Sequence, residues 1–309
     1  MAFFDAFKDT VQLVKNTFAV IGKNPAILTP TIKQAWIVGI TLLVILLGIA
    51  AIVFKYSILP TIGIIVLVAC TLFLAFVFPF VKIHYKAAQC WMVYQTFSGK
   101  PVTYEEGLER ARVNRKDIFV LGVFDILLRL VANELKQGTR KRGMLGVIIS
   151  IIMKIAGKVV EEGWDLIGHY LLPAAIIKEQ TVREALPEIK NIKSNVPAAL
   201  MGVFGFDFIG DLISKYFVIM SLPFIFLVVV LGAKFSSWIP FALFMIILVI
   251  LIVAVQVVID MAKVIYFTLF YMSITMPDKI SKQYRAEVTN YLLSNKGRRG
   301  TTSRPLGNI

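Results

Sequence analysis

Cysteine and histidine are scarce in this chain of 309 residues, which contains two of each. Cys70 and Cys90 both lie in apolar or amphipathic stretches, so we expect them to be small core residues. Neither stands near His84 or His169 at the spacing of a metal-ligand set. The sequence therefore predicts no metal site and no cofactor.

Other functional signals are also missing. There is no Asn-x-Ser/Thr glycosylation acceptor, and the opening "MAFFDAFKDTVQLVKNTFAVIGKNP" lacks the apolar core and the Ala-x-Ala-like site of a cleavable signal peptide. Basic residues do not interleave with aromatic ones, so nucleic-acid binding is not expected. No serine or cysteine nucleophile stands beside a base, and the sequence therefore does not predict an enzyme.

Charge is sparse, and acidic charge is the sparser kind. Lys and Arg number 33 against 19 Asp and Glu, which gives a net charge of +14, and 58% of the residues are hydrophobic. Uncharged apolar runs of about 20 residues are typical of bilayer spans. Four segments approach or reach that length: Ala35–Phe54, Thr61–Val81, Phe217–Ala233 and Trp238–Ile259. They predict an integral membrane protein whose last helix continues to Thr275.

The placement of positive charge predicts the orientation of these spans. The links "KYSILPT" and "GAKFSSW" contain one lysine each, whereas the other basic residues, Lys215 apart, lie near the N-terminus, in residues 82–193 and after Asp260. Lys and Arg close to a span favour the cytoplasmic side. We therefore expect a multi-pass protein of the cell membrane with both termini in the cytoplasm and two hairpins, 35–90 and 215–275.

The predicted fold is all-α and polytopic, with a middle region of amphipathic and half-length helices that are re-entrant or interfacial. The N-terminal helix is expected to lie in the headgroup plane or to pack on the protein's own core, and the C-terminal tail to lie near anionic headgroups. The predicted units are 1–34 (amphipathic helix), 35–98 (first transmembrane hairpin and its cytoplasmic extension), 99–214 (repeated helical region), 215–276 (second transmembrane hairpin) and 277–309 (basic tail).

Two stretches of the middle region resemble each other. Each opens with a T-x-x-E capping box, Thr103 with Glu106 and Thr181 with Glu184, which predicts the start of a helix. Each then reaches a Gly-Val-Phe sequence and, soon after, Phe-Asp. Duplication of one unit explains the similarity, and chance likeness between two amphipathic stretches remains the alternative.

Ionisable residues interrupt the apolar helices of this region. Ile118–Val131 is too short to span, and Val196–Ile213 is predicted as a second half-length helix. Such groups are costly at membrane depth unless they face protein or water. Asp260 is expected to pair with Lys263 locally, or either of them with Arg129 or Asp207. The predicted intramembrane polar residues are Asp125, Arg129, Asp207, Asp211, Asp260 and Lys263.

Residues 154–170, "KIAGKVVEEGWDLIGHY", form a narrow ionic stripe when placed on a helix. The candidate pathway-lining or ion-selective residues are Lys154, Lys158, Glu161, Glu162, Asp165 and His169. Three interpretations stay open for the stripe. It is a solvated face with internal Lys–Glu pairs, a selective lining of an oligomeric pathway, or an acid–base or metal site acting on lipid.

The chain resembles an uncharacterised family of prokaryotic integral membrane proteins, a domain of unknown function. The resemblance depends on "GKPVTYEEGLERA", on Trp164 followed by Pro173–Glu179 and Glu184–Leu186, on "MGVFGFDFIG", and on the opening "FKDTVQLVKNTFAVIGKNPAIL". These motifs are structural rather than catalytic. The resemblance therefore implies a membrane fold and no particular activity.

From the sequence we expect an ion-conducting or transport assembly, formed by a homo-oligomer because one chain has few spans to enclose a pathway. The alternatives are a non-conducting membrane scaffold that binds anionic lipid or a protein partner, and a lipid-modifying enzyme. The enzyme needs a cleft with converging acid and base, and no such cluster is evident in the sequence.

Overall fold

The structure, a computed structural model, describes residues 17–53, 58–137, 168–181, 183–185, 196–234 and 239–293. Regular secondary structure within these ranges is helical, and it includes residues 17–23. The helices are α1 Thr29–Val53, α2 Leu59–Leu72, α3 Phe78–Phe97, α4 Tyr104–Val113, α5 Arg115–Gln137, α6 Gly168–Ile177, α7 Val196–Lys234, α8 Ile239–Thr275 and α9 Lys282–Leu293. Short 3-10 turns cover Pro25–Leu28 and Pro277–Lys279.

Four helices are long and apolar enough to cross a membrane, which confirms the predicted membrane class. They cover Pro25–Ile49, Leu59–Phe97, Leu212–Val230 and Phe244–Thr275. Leu59–Phe97 has 39 residues, which at a rise of about 1.5 Å per residue is roughly 58 Å of helix. The hydrocarbon core of a bilayer is about 30 Å thick. This helix, like α8, is therefore much longer than a span requires.

The helix Leu59–Phe97 has a π-helical turn, Phe73–Val77, just before Pro79. Proline has no N–H to donate and its ring crowds the preceding turn. The chain accommodates it by widening that turn, so that the N–H of Phe78 donates to the carbonyl oxygen of Phe73, five residues back. Pro79 is thus accommodated by a local change of helix type.

α7 differs from the prediction. The predicted short helix Val196–Ile213 and the predicted span Phe217–Ala233 are parts of one helix of 39 residues. Ser214, Lys215 and Tyr216 join them, and none of the three breaks a helix. α8, in contrast, runs unbroken past Asp260 to Thr275 as the sequence predicted.

α1 packs against α2, and α7 packs against α8. The first pair approaches closely at Gly48 and Gly63, where a Cβ added to Gly63 would lie 2.5 Å from the carbonyl oxygen of Gly48. Small residues permit such backbone contact between membrane helices. The outer surfaces of both pairs expose large apolar side chains, among them Leu47, Ile65 and Phe226. This exposure fits a lipid environment.

Most of the buried core lies at the other end of the molecule. We name it the packed base: the buried side chains of α3, α4, α6 and the C-terminal half of α8, together with Ile27. Its largest fully buried side chains include Phe97, Met92, Leu171, Ile176, Phe267 and Tyr271. The parts of α3 and α8 that exceed the length of a span therefore form the packed interior of the protein.

Both predicted capping boxes are confirmed. The Thr103 N–H donates to the Glu106 carboxylate at 3.0 Å, and the Glu106 N–H donates to the Thr103 hydroxyl at 3.3 Å. Thr181 and Glu184 exchange the same two bonds at 2.8 and 3.3 Å. The bond from the Thr181 backbone holds the pKa of the Glu184 carboxyl below its usual value. The same local motif thus starts a helix in each of the two similar stretches.

Candidate functional site

An ion-pair cluster joins α3 to α8. The Asp260 carboxylate accepts from Lys82 Nζ at 2.5 Å and from Lys86 Nζ at 3.1 Å, one lysine to each oxygen. These side chains are 22%, 22% and 12% exposed for Asp260, Lys82 and Lys86 respectively. Each oxygen of the acid therefore faces one ammonium group, and the carboxylate is fully compensated.

Both long helices have their first charged residue after the apolar stretch at the level of this cluster. Residues 56–81 and 235–259 carry no charge, and Lys82 and Asp260 are the first charged residues after these stretches. Charges that bound two adjacent spans meet at the same level, a signal that could have identified the pairing from the sequence. The predicted local partner, Lys263, is buried one turn further along α8.

A cavity of about 480 Å³ opens on another side of α3. We name it the interfacial pocket. Three basic side chains line its polar part, His84, Arg112 and Arg115. The remaining lining residues are Phe80, Val81, Tyr85, Leu108, Ile118 and Phe119. The pocket therefore offers cationic donors beside an apolar wall, at the level of the Asp260 cluster, because Phe80 and Val81 directly precede Lys82.

The junction between α4 and α5 shapes the pocket. Asn114 separates the two helices, and its buried side chain donates through Nδ2 to the Arg110 carbonyl oxygen at 3.3 Å. The N–H of Ile118 in turn donates to the Asn114 carbonyl at 3.1 Å. This connection places Arg112, at the end of α4, and Arg115, at the start of α5, around one cavity.

α5 is held close to α3 by an aromatic contact. The rings of Phe80 and Phe119 stack with centroids 5.0 Å apart and an interplanar angle of 10°. One turn further along α5, a Cβ added to Gly122 would lie 2.5 Å from Cδ1 of Phe80. The absence of a side chain at Gly122 thus lets the two helices form the apolar wall.

Arg110 ties α4 to α6. Its Nε donates to the Ile176 carbonyl oxygen at 2.9 Å, and its guanidinium pairs with Glu179 and lies 4.5 Å from the centre of the Trp91 ring. Glu179 adopts a positive φ of 57° just past the end of α6, a position where glycine is usual. The Gln180 N–H closes this terminus on the Ala174 carbonyl at 3.4 Å.

The structure describes few of the sequence-predicted site residues. His169 is buried in α6, with its ring 5.1 Å from that of Phe267 in α8. Asp125 lies on α5 and is partly buried. The remaining stripe residues lie outside the described residues: Lys154, Lys158, Glu161, Glu162 and Asp165. Arg129, Asp207 and Asp211 lie on described helices, but their side chains are outside the description. The proposed stripe and its role stay predictions.

Among the residues that the structure describes, no group of three or more His, Cys, Asp or Glu is placed to hold a metal ion. Comparison of the chain with protein-family models, with curated proteins and with solved structures finds no match. The features of the described residues that point to a function are therefore the Asp260 cluster and the interfacial pocket.

Proposed function

We propose that this protein is a non-conducting membrane scaffold that holds the packed base at the cytoplasmic surface and binds anionic lipid headgroups there. The observation that carries the proposal is the Asp260 cluster, in which the carboxylate that bounds a span is compensated by Lys82 and Lys86. Charges used in this way fix the packing of helices. Charges that conduct ions instead face a continuous aqueous pathway.

The packed base supports the same proposal. Directly beyond the cluster, Ile265, Phe267 and Tyr271 of α8 are almost fully buried. Close-packed apolar and aromatic side chains leave little room for water. In the part of the chain that the structure describes, the packing between α3 and α8 therefore favours a rigid support over an aqueous pathway.

The proposed orientation places the two helix pairs as hairpins through the bilayer, with the links "KYSILPT" and "GAKFSSW" outside and both termini inside. The long extensions of α3 and α8 meet in one base, which requires that they leave the membrane on the same side. The net charge of +14 is concentrated in segments predicted on that side. Anionic lipids of the cytoplasmic leaflet attract such basic segments.

Anionic lipid is expected to stabilise the protein. In nanodiscs, replacing part of the phosphatidylcholine with phosphatidylglycerol of the same chains should raise the thermal unfolding midpoint by several degrees at low salt. The increment should shrink at high salt, because salt screens exposed charges. Equal midpoints in the two lipids at low salt would contradict the proposed lipid-binding function.

The conducting homo-oligomer that the sequence suggested depends on the stripe outside the described residues. Measurements of ion flux in proteoliposomes distinguish this channel from the scaffold. The scaffold leaves the flux of ions at the level of protein-free liposomes across salts and pH. Flux that changes in selectivity with Lys158→Ala or Glu162→Ala would favour the channel instead.

A further inference from the structure

The chemistry of the interfacial pocket matches one kind of ligand. Arg112 and Arg115 present guanidinium groups, which bind phosphate oxygens through two parallel N–H donors. Phe80, Ile118 and Phe119 form an apolar wall on the same cavity. A soluble anion would use only the basic part, and a neutral apolar molecule only the wall. A ligand that satisfies both carries a phosphate joined to a hydrocarbon chain.

The position of the pocket along the membrane normal also favours a phospholipid. Its apolar residues Phe80 and Val81 end an uncharged stretch of helix, and its basic residue His84 follows Lys82. Along α3 the lining therefore changes from apolar to basic where the helix leaves the bilayer. A phospholipid changes from acyl chain to phosphate at that same boundary. The volume of the pocket, about 480 Å³, falls within the roughly 300–1,000 Å³ usual for ligand pockets.

Exposed apolar surface continues from the pocket on two helices. Phe119, Phe124 and Leu127 on α5 are 58%, 44% and 52% exposed. Phe76, in the π-helical turn above Phe80, is 56% exposed. Exposed apolar side chains at this level of a membrane protein fit contact with acyl chains. Here the surface leads out of the pocket in the direction that an acyl chain has to take.

We propose that the interfacial pocket binds a single anionic phospholipid of the cytoplasmic leaflet. Arg112 and Arg115 hold the phosphate, with His84 beside them as a further donor. The acyl chains lie on Phe80 and Phe119 and continue along the exposed face of α5. This inference rests on the proposed function only for the orientation of the pocket, and it deepens that function by naming the lipid class and its site.

Native mass spectrometry of the detergent-purified protein, titrated with phosphatidylglycerol, tests the site. The wild-type protein should bind a first phosphatidylglycerol more tightly than a first phosphatidylcholine. The double variant Arg112→Gln/Arg115→Gln should weaken that first binding step by at least about tenfold, because the loss of even one charge-assisted hydrogen bond costs about that much in affinity. Unchanged affinity in this variant would overturn the proposal.

The matched control removes the same charge from the surface beside the packed base. Lys100 and Lys282 are exposed and do not line the pocket, so Lys100→Gln/Lys282→Gln should keep the first binding constant within about twofold of wild type, since distant exposed charges are screened. If this control loses affinity as strongly as the pocket variant, binding reflects overall charge, and the site is refuted.

A steric variant separates the cavity from its charge. Val81→Trp fills the pocket with its basic residues intact and should abolish the first binding step, whereas Val77→Trp, one turn earlier and 47% exposed, should not. Protection of the buried Cys90 thiol from alkylation, in a Cys70→Ala background, checks that each variant is folded. A folded Val81→Trp protein that binds phosphatidylglycerol normally would also overturn the proposal.

Soluble competitors identify the source of the phosphate. Excess inorganic phosphate or glycerol phosphate should displace little of the bound lipid, because neither uses the apolar wall. Displacement at millimolar concentration would make this a site for a soluble phosphate, contrary to the inference.

Failure of the pocket proposal can be distinguished from failure of the scaffold proposal. Suppose that the Arg112/Arg115 variant binds lipid normally and is still stabilised by anionic nanodiscs in a salt-sensitive way. The scaffold proposal then stands and the pocket proposal is refuted. If instead the variant loses lipid binding but anionic nanodiscs do not stabilise the wild type, the pocket proposal stands and the scaffold proposal is refuted.

Discussion

Asp260→Asn is expected to lower the free energy of unfolding by about 3 kcal/mol, because it leaves two partly buried lysines without their shared counter-ion. Breaking a buried ion pair on one side costs roughly 3–5 kcal/mol, and the exposure of 22% at Asp260 places the effect near the lower end. Thermal unfolding in detergent, followed by alkylation of the buried Cys90 in a Cys70→Ala background, measures the change.

The two lysines should behave differently from the acid. Lys82→Met leaves Asp260 paired with Lys86, so we expect a loss of at most about 1 kcal/mol, as for a partly exposed pair. The triple variant Lys82→Met/Lys86→Met/Asp260→Asn removes every charge of the cluster and should recover most of the stability that Asp260→Asn loses, since apolar replacement of a whole buried pair is often neutral. Equal losses for Lys82→Met and Asp260→Asn would show that the single carboxylate does not hold α3 to α8.

Gly63→Ala is expected to cost roughly 1–3 kcal/mol, as overpacking of a close contact does. The added Cβ would lie 2.5 Å from the Gly48 carbonyl oxygen and 2.7 Å from Cγ1 of Ile52. Because the nearer atom belongs to the backbone, α1 and α2 have to separate. The same thermal assay measures the loss.

Gly39→Ala in α1 is the control, because nothing lies within 4 Å of the Cβ it adds. Helix propensity alone favours alanine over glycine by up to about 1 kcal/mol. The two Gly-to-Ala changes should therefore have opposite signs. A stabilising effect of Gly63→Ala would mean that α1 and α2 do not approach closely in the membrane.

What the sequence could predict follows from the range of the interactions involved. The spans depend on long uncharged stretches, and the capping boxes at Thr103 and Thr181 depend on residues three apart, so both are legible in the chain itself. The partners of Asp260 are less direct, because Lys82 and Lys86 lie far away in sequence, and only the matching ends of two uncharged stretches at Lys82 and Asp260 point to the pairing. Lys263, the predicted local partner, also acts on Asp260 electrostatically, but the two ion pairs described above are those to Lys82 and Lys86.

The interfacial pocket depends on a break between two helices that no periodic pattern encodes. Asn114 interrupts the helical run between α4 and α5 and thereby brings Arg112 and Arg115 to one cavity. Its local sequence, "RARVNRKD", predicts only a basic polar stretch. The continuity of α7 was missed for the opposite reason: an apolar helix followed by Ser-Lys-Tyr suggested two elements, whereas nothing there stops a helix.

The most direct test of the central claim is the labelling of single cysteines in sealed, right-side-out membrane vesicles by a membrane-impermeant thiol reagent. In a Cys70→Ala background with Cys90 buried, Ile58→Cys lies directly before α2 and Lys282→Cys at the start of α9, beside the packed base, and both positions are exposed. The account predicts that Ile58→Cys is labelled at once and Lys282→Cys only after permeabilisation. Labelling of Lys282→Cys in sealed vesicles, or equal labelling of both, would contradict a packed base on the cytoplasmic side.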